Sequence, residues 1–167
     1  MSLMILPAAL LALVAPATEP MPFLTMTRSA TGLATTQIEI GVLPGSNQRH
    51  YWFRRVESGQ GEITVNWTDS QSCEGSRDTV VVAATQVSPP EVAVPGIPVT
   101  ADGSVVITLD GVQYSFEARS HYAGNISSSL RFTSNVGTPL ADYVEDSILA
   151  LEPCWSEDVP GALQNWP

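Results

Sequence analysis

The sequence contains no lysine, and its seven basic residues are all arginine. The 17 acidic residues outnumber them, which gives a formal net charge of −10 at pH 7. A negative surface repels phosphate backbones and anionic lipids, so a nucleic-acid or membrane-surface role is disfavoured. The charge instead favours solubility, or association with a basic protein partner.

Motifs for the common catalytic chemistries are also missing. There is no G-x-S-x-G elbow, no H-E-x-x-H zinc motif and no G-x-G-x-x-G loop, and a P-loop would need the absent lysine. Two histidines and two cysteines do not approach the spacing of a metal site. We therefore predict a protein that is not an enzyme and has no cofactor and no metal.

Long apolar runs are absent too. The apolar stretch 3–14 is shorter than the roughly 20 residues that span a bilayer. Ala15-Pro16-Ala17 follows it with small residues suited to signal cleavage, which predicts a signal peptide over 1–17. We expect a periplasmic or secreted protein with no integral span after signal removal. The leader has no basic residue, so a later start at Met21 or Met26, without a signal, is the alternative.

The two cysteines, Cys73 and Cys154, fit an exported protein. In an oxidising compartment a lone pair of cysteines favours a structural disulfide. In the cytosol the same residues would be two buried free thiols.

Alternating apolar residues predict two antiparallel three-stranded meanders. The first has strands 36–43, 49–56 and 62–68, with Ile40 opposite Tyr51 and Val65 beside Phe53. The second is organised around the turn Asp110-Gly111, a strong hairpin signal between strands 104–109 and 112–118. A further turn at 123–125 leads to its third strand, with these predicted pairs: Tyr122 with Ile126, Ser120 with Ser128, Ala118 with Leu130 and Phe116 with Phe132.

Two segments are candidates for helices. Thr138-Pro139 is a helix start, and an apolar stripe predicts an amphipathic helix over 139–151. Residues 78–87 fit a strand or a helix, and we favour the helix because it would place Cys73 near another helix end.

The fold class is therefore α+β, with the meanders in one sheet or in a sandwich. The predicted divisions are a linker over 18–35, a globular domain over 36–155 and an acidic tail over 156–167 that is loosely held, apart from Trp166.

The nearest approach to a binding site is the run from Arg49 to Arg55. On a strand, His50, Trp52 and Arg54 would share the face opposite Tyr51 and Phe53, where they are candidates for binding a planar or anionic ligand or a protein partner. The alternative is that Trp52 and Arg54 pack flat on the sheet with Glu39 as charge partner.

These observations favour an exported, non-catalytic binding or interaction protein of the cell envelope, whose partner is an envelope protein or a small ligand. Two further hypotheses stay open. One is a small secreted hydrolase that uses His50 or His121 with a nearby serine. The other is an inhibitor of a basic cell-wall enzyme, for which the net charge is the motive.

Overall fold

In the part of the chain that the structure describes, six strands form one sheet, and all neighbouring strands are antiparallel. The computed structural model describes residues 20–45, 48–59, 61–91, 111–122 and 126–164. The predicted signal peptide 1–17 and strand 104–109 lie outside these ranges. The strands are β1 Leu24–Ala30, β2 Thr35–Val42, β3 Tyr51–Gly59, β4 Glu62–Asp69, β5 Val112–Tyr122 and β6 Ile126–Asn135. Their order across the sheet is β4-β3-β2-β1-β5-β6.

The helices follow the strands in two places. The helical elements are α1 Arg77–Val82, which is a π-helix, α2 Pro139–Leu151, a 3₁₀ turn Glu152–Cys154, and α3 Gly161–Gln164. The predicted α+β class is confirmed, and the described strands form one sheet and not a sandwich. In the segment 78–87, for which we favour a helix over a strand, residues 78–82 belong to helix α1.

The face of the sheet that carries Ile40, Phe53 and Phe116 packs against α1 and α2, and we call it the inner face. Alternate strand residues point to opposite faces, so these side chains bury together while their neighbours point away. Helix α2 adds Leu140, Val144 and Leu151 to the same core. Its start is as predicted, because the Thr138 hydroxyl oxygen accepts the Ala141 N–H at 3.2 Å and Pro139 occupies the first position.

A disulfide between Cys73 and Cys154 ties the loop before α1 to the end of the 3₁₀ turn after α2. The cysteine Cα atoms are 5.6 Å apart, and Cys73 is fully buried in the core. The predicted cysteine pairing is confirmed.

The linker predicted over 18–35 is wrong where β1 runs. Strand β1 lies between β2 and β5, with Leu24 opposite both Ile40 and Ala118. The polar threonines of β1 face away from the core, while Leu24 and Met26 are buried. Strand β1 also pairs with Val112–Ala118 along one edge of β5, and β6 pairs along the other. The partner predicted for this segment, 104–109, lies outside the described residues.

Two predicted registers differ from the structure. Ile40 pairs with Phe53 instead of Tyr51, a slip of two residues that keeps every side chain on its face. Phe53 pairs with Thr68 instead of Val65, an odd slip that places Trp67 on the outer face opposite Arg54. The cause is the turn between β3 and β4, which has two residues and includes Gly61 with a positive φ of 88°.

The tail predicted to be loose is held against the sheet. Ser156 forms a β-bridge with Trp67, and Leu163 of α3 is buried against Leu43 and Trp52 on the outer face. Apolar residues spaced along the tail therefore cover part of this face. Trp166 lies outside the described residues.

Candidate ligand-binding cleft

The outer face holds two of the predicted site residues, Trp52 and Arg54. Trp52 is 1% exposed, and its ring centroid lies 5.8 Å from that of Trp67. A Cβ placed on Gly41 would lie 2.2 Å from the Trp52 ring, so the absence of a side chain at Gly41 lets the indole lie flat on β2. Burial of the indole gives it a packing role in this structure.

Arg54 has partners within the protein. Its Nη1 donates to Glu39 Oε2 at 3.1 Å, and its guanidinium carbon lies 5.5 Å from the Trp67 ring centroid. Glu39 is directly opposite Arg54, so this arrangement has the contacts of the packing alternative. The remaining predicted residue, His50, precedes β3 and is half-buried, and its backbone carbonyl accepts the Leu43 N–H at 2.8 Å.

The histidines proposed for a hydrolase lie in separate places. His121 is exposed near the end of β5, opposite Ser127 of β6, whereas His50 lies beside the start of β3. Within the described ranges, neither imidazole lies within 4.0 Å of a carboxylate, and no group of three His, Cys, Asp or Glu side chains is placed to hold a metal ion.

A concave site lies on the inner face of the sheet, beside α1, and we call it the cleft. Its volume is about 480 Å³. The floor consists of strand residues near one end of the sheet, and Val81, Ala84 and Val87 from α1 and the turn after it form a wall. The principal floor residues are Leu24, Val42, Tyr51, Phe116, Ala118 and Leu130, and Phe23, which precedes β1, lies beside them.

The floor is apolar because strand alternation brings the inner-face positions of five strands together beyond the main core. Phe23 and Tyr51 meet edge to face with ring centroids 5.9 Å apart. Val42 is 45% exposed and Leu130 is 40% exposed, so both residues present apolar surface to solvent. The cleft is therefore an apolar depression that is open to water.

Two arginines, Arg49 and Arg119, line this cleft. Both are exposed, and neither has a carboxylate within 4.0 Å among the residues that the structure describes. The other five arginines each have a carboxylate within 3.7 Å. Their pairs are Arg28 with Glu145, Arg54 with Glu39, Arg55 with Glu152, Arg77 with Asp78 and Arg131 with Glu117.

The groups with shifted pKa values lie elsewhere. The carboxylate of Glu145 accepts hydrogen bonds from Arg28 Nε at 2.8 Å and from the Tyr114 hydroxyl at 2.6 Å. The hydrogen bond to Glu145 raises the pKa of Arg28, and burial raises the pKa of Tyr114. Burial also raises the pKa of Tyr143 on α2. None of these side chains lines the cleft, so the pKa shifts of Arg28, Tyr114 and Tyr143 belong to the packing of α2 on the sheet.

The cleft could not be predicted from the sequence, because a part of a sheet that no helix covers has no local sequence pattern. One signal was available at Arg49, which precedes Tyr51 by two positions and so shares its side of the chain. The predicted site residues Trp52 and Arg54 alternate with Tyr51 and lie on the outer face, away from the cleft.

Comparison with known proteins identifies no relative of this chain: no family model, no curated protein and no solved structure matches it. In the described part of the chain, no helix is long and apolar enough to cross a bilayer.

Proposed function

We propose that the protein is an exported, non-catalytic binding protein and that the cleft holds a small, largely apolar ligand. The observation that carries this proposal is a solvent-open apolar floor of five strands beside the wall of α1. The volume of about 480 Å³ is within the range of roughly 300–1,000 Å³ typical of small-molecule sites. A ligand there would remove Val42 and Leu130 from water, which is favourable in proportion to the apolar area buried.

Export is the second part of the proposal. It is supported by the signal-like residues 1–17 and by the disulfide, which persists most readily in an oxidising compartment. The test is the intact mass of the protein recovered from the envelope fraction of its host. A mass that begins at Thr18 with no alkylatable thiol is expected, and a mass that begins at Met1, Met21 or Met26 with two alkylatable thiols would contradict export.

Binding in the cleft is tested with N-phenyl-1-naphthylamine, a neutral dye whose fluorescence rises in apolar surroundings. We expect saturable binding to the purified, disulfide-bonded protein. Ser120→Trp introduces a large ring at a position that lines the cleft, and we expect it to weaken binding at least about tenfold by occupying the volume.

Thr133→Trp is the matched control, since Thr133 is exposed on the outer face of neighbouring β6 and does not line the cleft. It should bind the dye as the unmodified protein does. Absence of saturable binding, or equal affinity for the dye in both tryptophan variants, would overturn the proposed site.

A further inference from the structure

We infer that the ligand of the cleft is a free long-chain carboxylate, with its chain on the apolar floor and its carboxylate at Arg49. This inference rests on the proposed function and adds the chemical class of the ligand.

The distribution of ion pairs among the arginines is the first observation that supports a carboxylate ligand. In a chain of net charge −10, the described structure neutralises five arginines with carboxylates and leaves Arg49 and Arg119 without one. Both of these lie at the same apolar cleft. The cleft therefore combines a local positive charge with an apolar floor, which complements an amphipathic anion.

The positions of the two arginines assign them different roles. Arg49 is two residues before Tyr51, whose ring belongs to the floor, so the two share one side of the chain. Arg119 alternates with Ala118 and Ser120 and so points to the other face of β5, where its Nη2 contacts the Met21 sulfur. Arg49 makes the direct contact, and Arg119 adds to the positive potential at the rim.

A carboxylate suits an exposed guanidinium because the planar group donates two parallel hydrogen bonds to the two carboxylate oxygens. The protein as a whole repels anions and attracts cations. A preference for an anion is therefore the opposite of what the net charge alone predicts, which makes it a specific test of the cleft.

The experiment measures displacement of N-phenyl-1-naphthylamine by three ligands with the same chain: dodecanoate, dodecanol and dodecylammonium. It is done below their micelle concentrations at pH 8, where the carboxylate is ionised. We expect dodecanoate to bind about tenfold more tightly than dodecanol, as a charge-assisted contact at an exposed site provides. Dodecylammonium should bind more weakly than both.

Arg49→Gln should bring the affinities for dodecanoate and dodecanol within about twofold of each other, chiefly by weakening the binding of dodecanoate. Arg119→Gln should reduce the preference for dodecanoate by a smaller factor. Arg131→Gln is the control for loss of one charge, because Arg131 pairs with Glu117 and does not line the cleft. It should retain the tenfold preference.

The outcomes separate the two proposals. If dodecanol and dodecanoate bind equally, or if Arg131→Gln and Arg49→Gln have the same effect, the cleft remains a binding site and the carboxylate assignment is wrong. If the dye binds but dodecanoate does not displace it, the carboxylate assignment is also wrong. If the dye itself does not bind, the proposed function fails. Circular dichroism of each variant checks that the fold is kept.

Discussion

The inner face of the sheet has two ends that differ in cover and in charge. At one end, which we call the covered end, Met26, Ile38 and Tyr114 are 1–3% exposed in the core to which α2 contributes. At the cleft end, Val42 and Leu130 are at least 40% exposed. The covered end neutralises Arg28 with Glu145, whereas the arginines of the cleft end have no carboxylate partner among the described residues.

The difference follows from the lengths of the elements. Helix α2 has 13 residues and is about 20 Å long, since each helical residue advances about 1.5 Å. Strand β5 has 11 residues and extends roughly 36 Å at about 3.3 Å per residue. A helix of about 20 Å cannot cover a strand of about 36 Å. In addition, α2 crosses the sheet, since Glu145 contacts Arg28 of β1 and Glu152, just after α2, contacts Arg55 of β3. The inner-face alternation therefore makes core under α2 and a cleft beyond it.

Removing the disulfide should have the largest effect of all, because the bond ties the loop before α1 to the end of the 3₁₀ turn after α2. We expect Cys73→Ala/Cys154→Ala to lower the free energy of unfolding by about 4 kcal/mol, the value that the chain-entropy model gives for a loop of 81 positions. Guanidinium denaturation of both proteins, with and without reductant, measures this. Reductant should destabilise only the unmodified protein, and a difference below about 1 kcal/mol would contradict the prediction.

A pair of leucine truncations compares the two ends directly. Leu151→Ala at the covered end removes a fully buried side chain and should cost about 2–5 kcal/mol of unfolding free energy, because a cavity is left behind. Leu130→Ala at the cleft end removes a side chain that is 40% exposed and should cost about 1 kcal/mol or less. Equal losses in urea denaturation would show that the two ends are packed alike.

The pH dependence of stability should also originate at the covered end. The Tyr143 hydroxyl donates to the Val80 carbonyl at 3.1 Å, and burial raises its pKa. Above pH 10 the unfolded chain therefore releases a proton that the folded chain keeps. The stabilising contribution is present below pH 10 and is lost as pH rises, by up to about 1.4 kcal/mol per pH unit.

Tyr143→Phe removes this titration. We expect the variant to be about 1 kcal/mol less stable at pH 7, through the lost hydrogen bond, and to lose stability less steeply from pH 9 to 11. Some slope should remain, since burial also raises the pKa of Tyr114. Identical slopes in the two proteins would exclude Tyr143 as a source of the alkaline sensitivity.

The smallest expected effect belongs to the ion pair that neutralises the covered end. Glu145→Gln weakens the contacts to Arg28 and Tyr114, but the side chains of Arg28 and Glu145 are 35% and 45% exposed. Solvent screening limits the cost to about 1 kcal/mol or less. Glu117→Gln, at the more exposed pair with Arg131, is the control and should change stability by less than about 0.5 kcal/mol. A loss above about 2 kcal/mol for Glu145→Gln would mean that the ion pair anchors α2.

The sequence predicts the structure correctly where a few neighbouring residues determine the local geometry. The β5–β6 pairs from Tyr122–Ile126 to Phe116–Phe132 are as predicted, because a connection of only three residues between the two strands fixes the register. The bounds of α2 also agree, since Thr138 and Pro139 define its start and Pro153 follows its end.

The errors arise where distant parts of the chain decide the outcome. Strand β1 was missed because its buried set, Leu24 and Met26, is short and alternates with threonines that resemble a linker. Its position depends on β5, far along the chain. The cleft was missed for a related reason, since it depends on how far α2 extends along the sheet, a property of the packed elements and not of any single segment.

The central position of β1 has a consequence for how the chain is made. One edge of β1 pairs with β2, which follows it at once, whereas the other edge pairs with β5, whose first residue, Val112, comes 82 positions after its partner Ala30. At a synthesis rate of roughly 5–20 residues per second, this second edge waits about 4–16 s. During that interval the first four strands present an unpaired edge to other chains, and such an edge is a template for aggregation. The strand that joins the two halves of the sheet is thus also an edge that the nascent chain leaves unpaired until β5 is made.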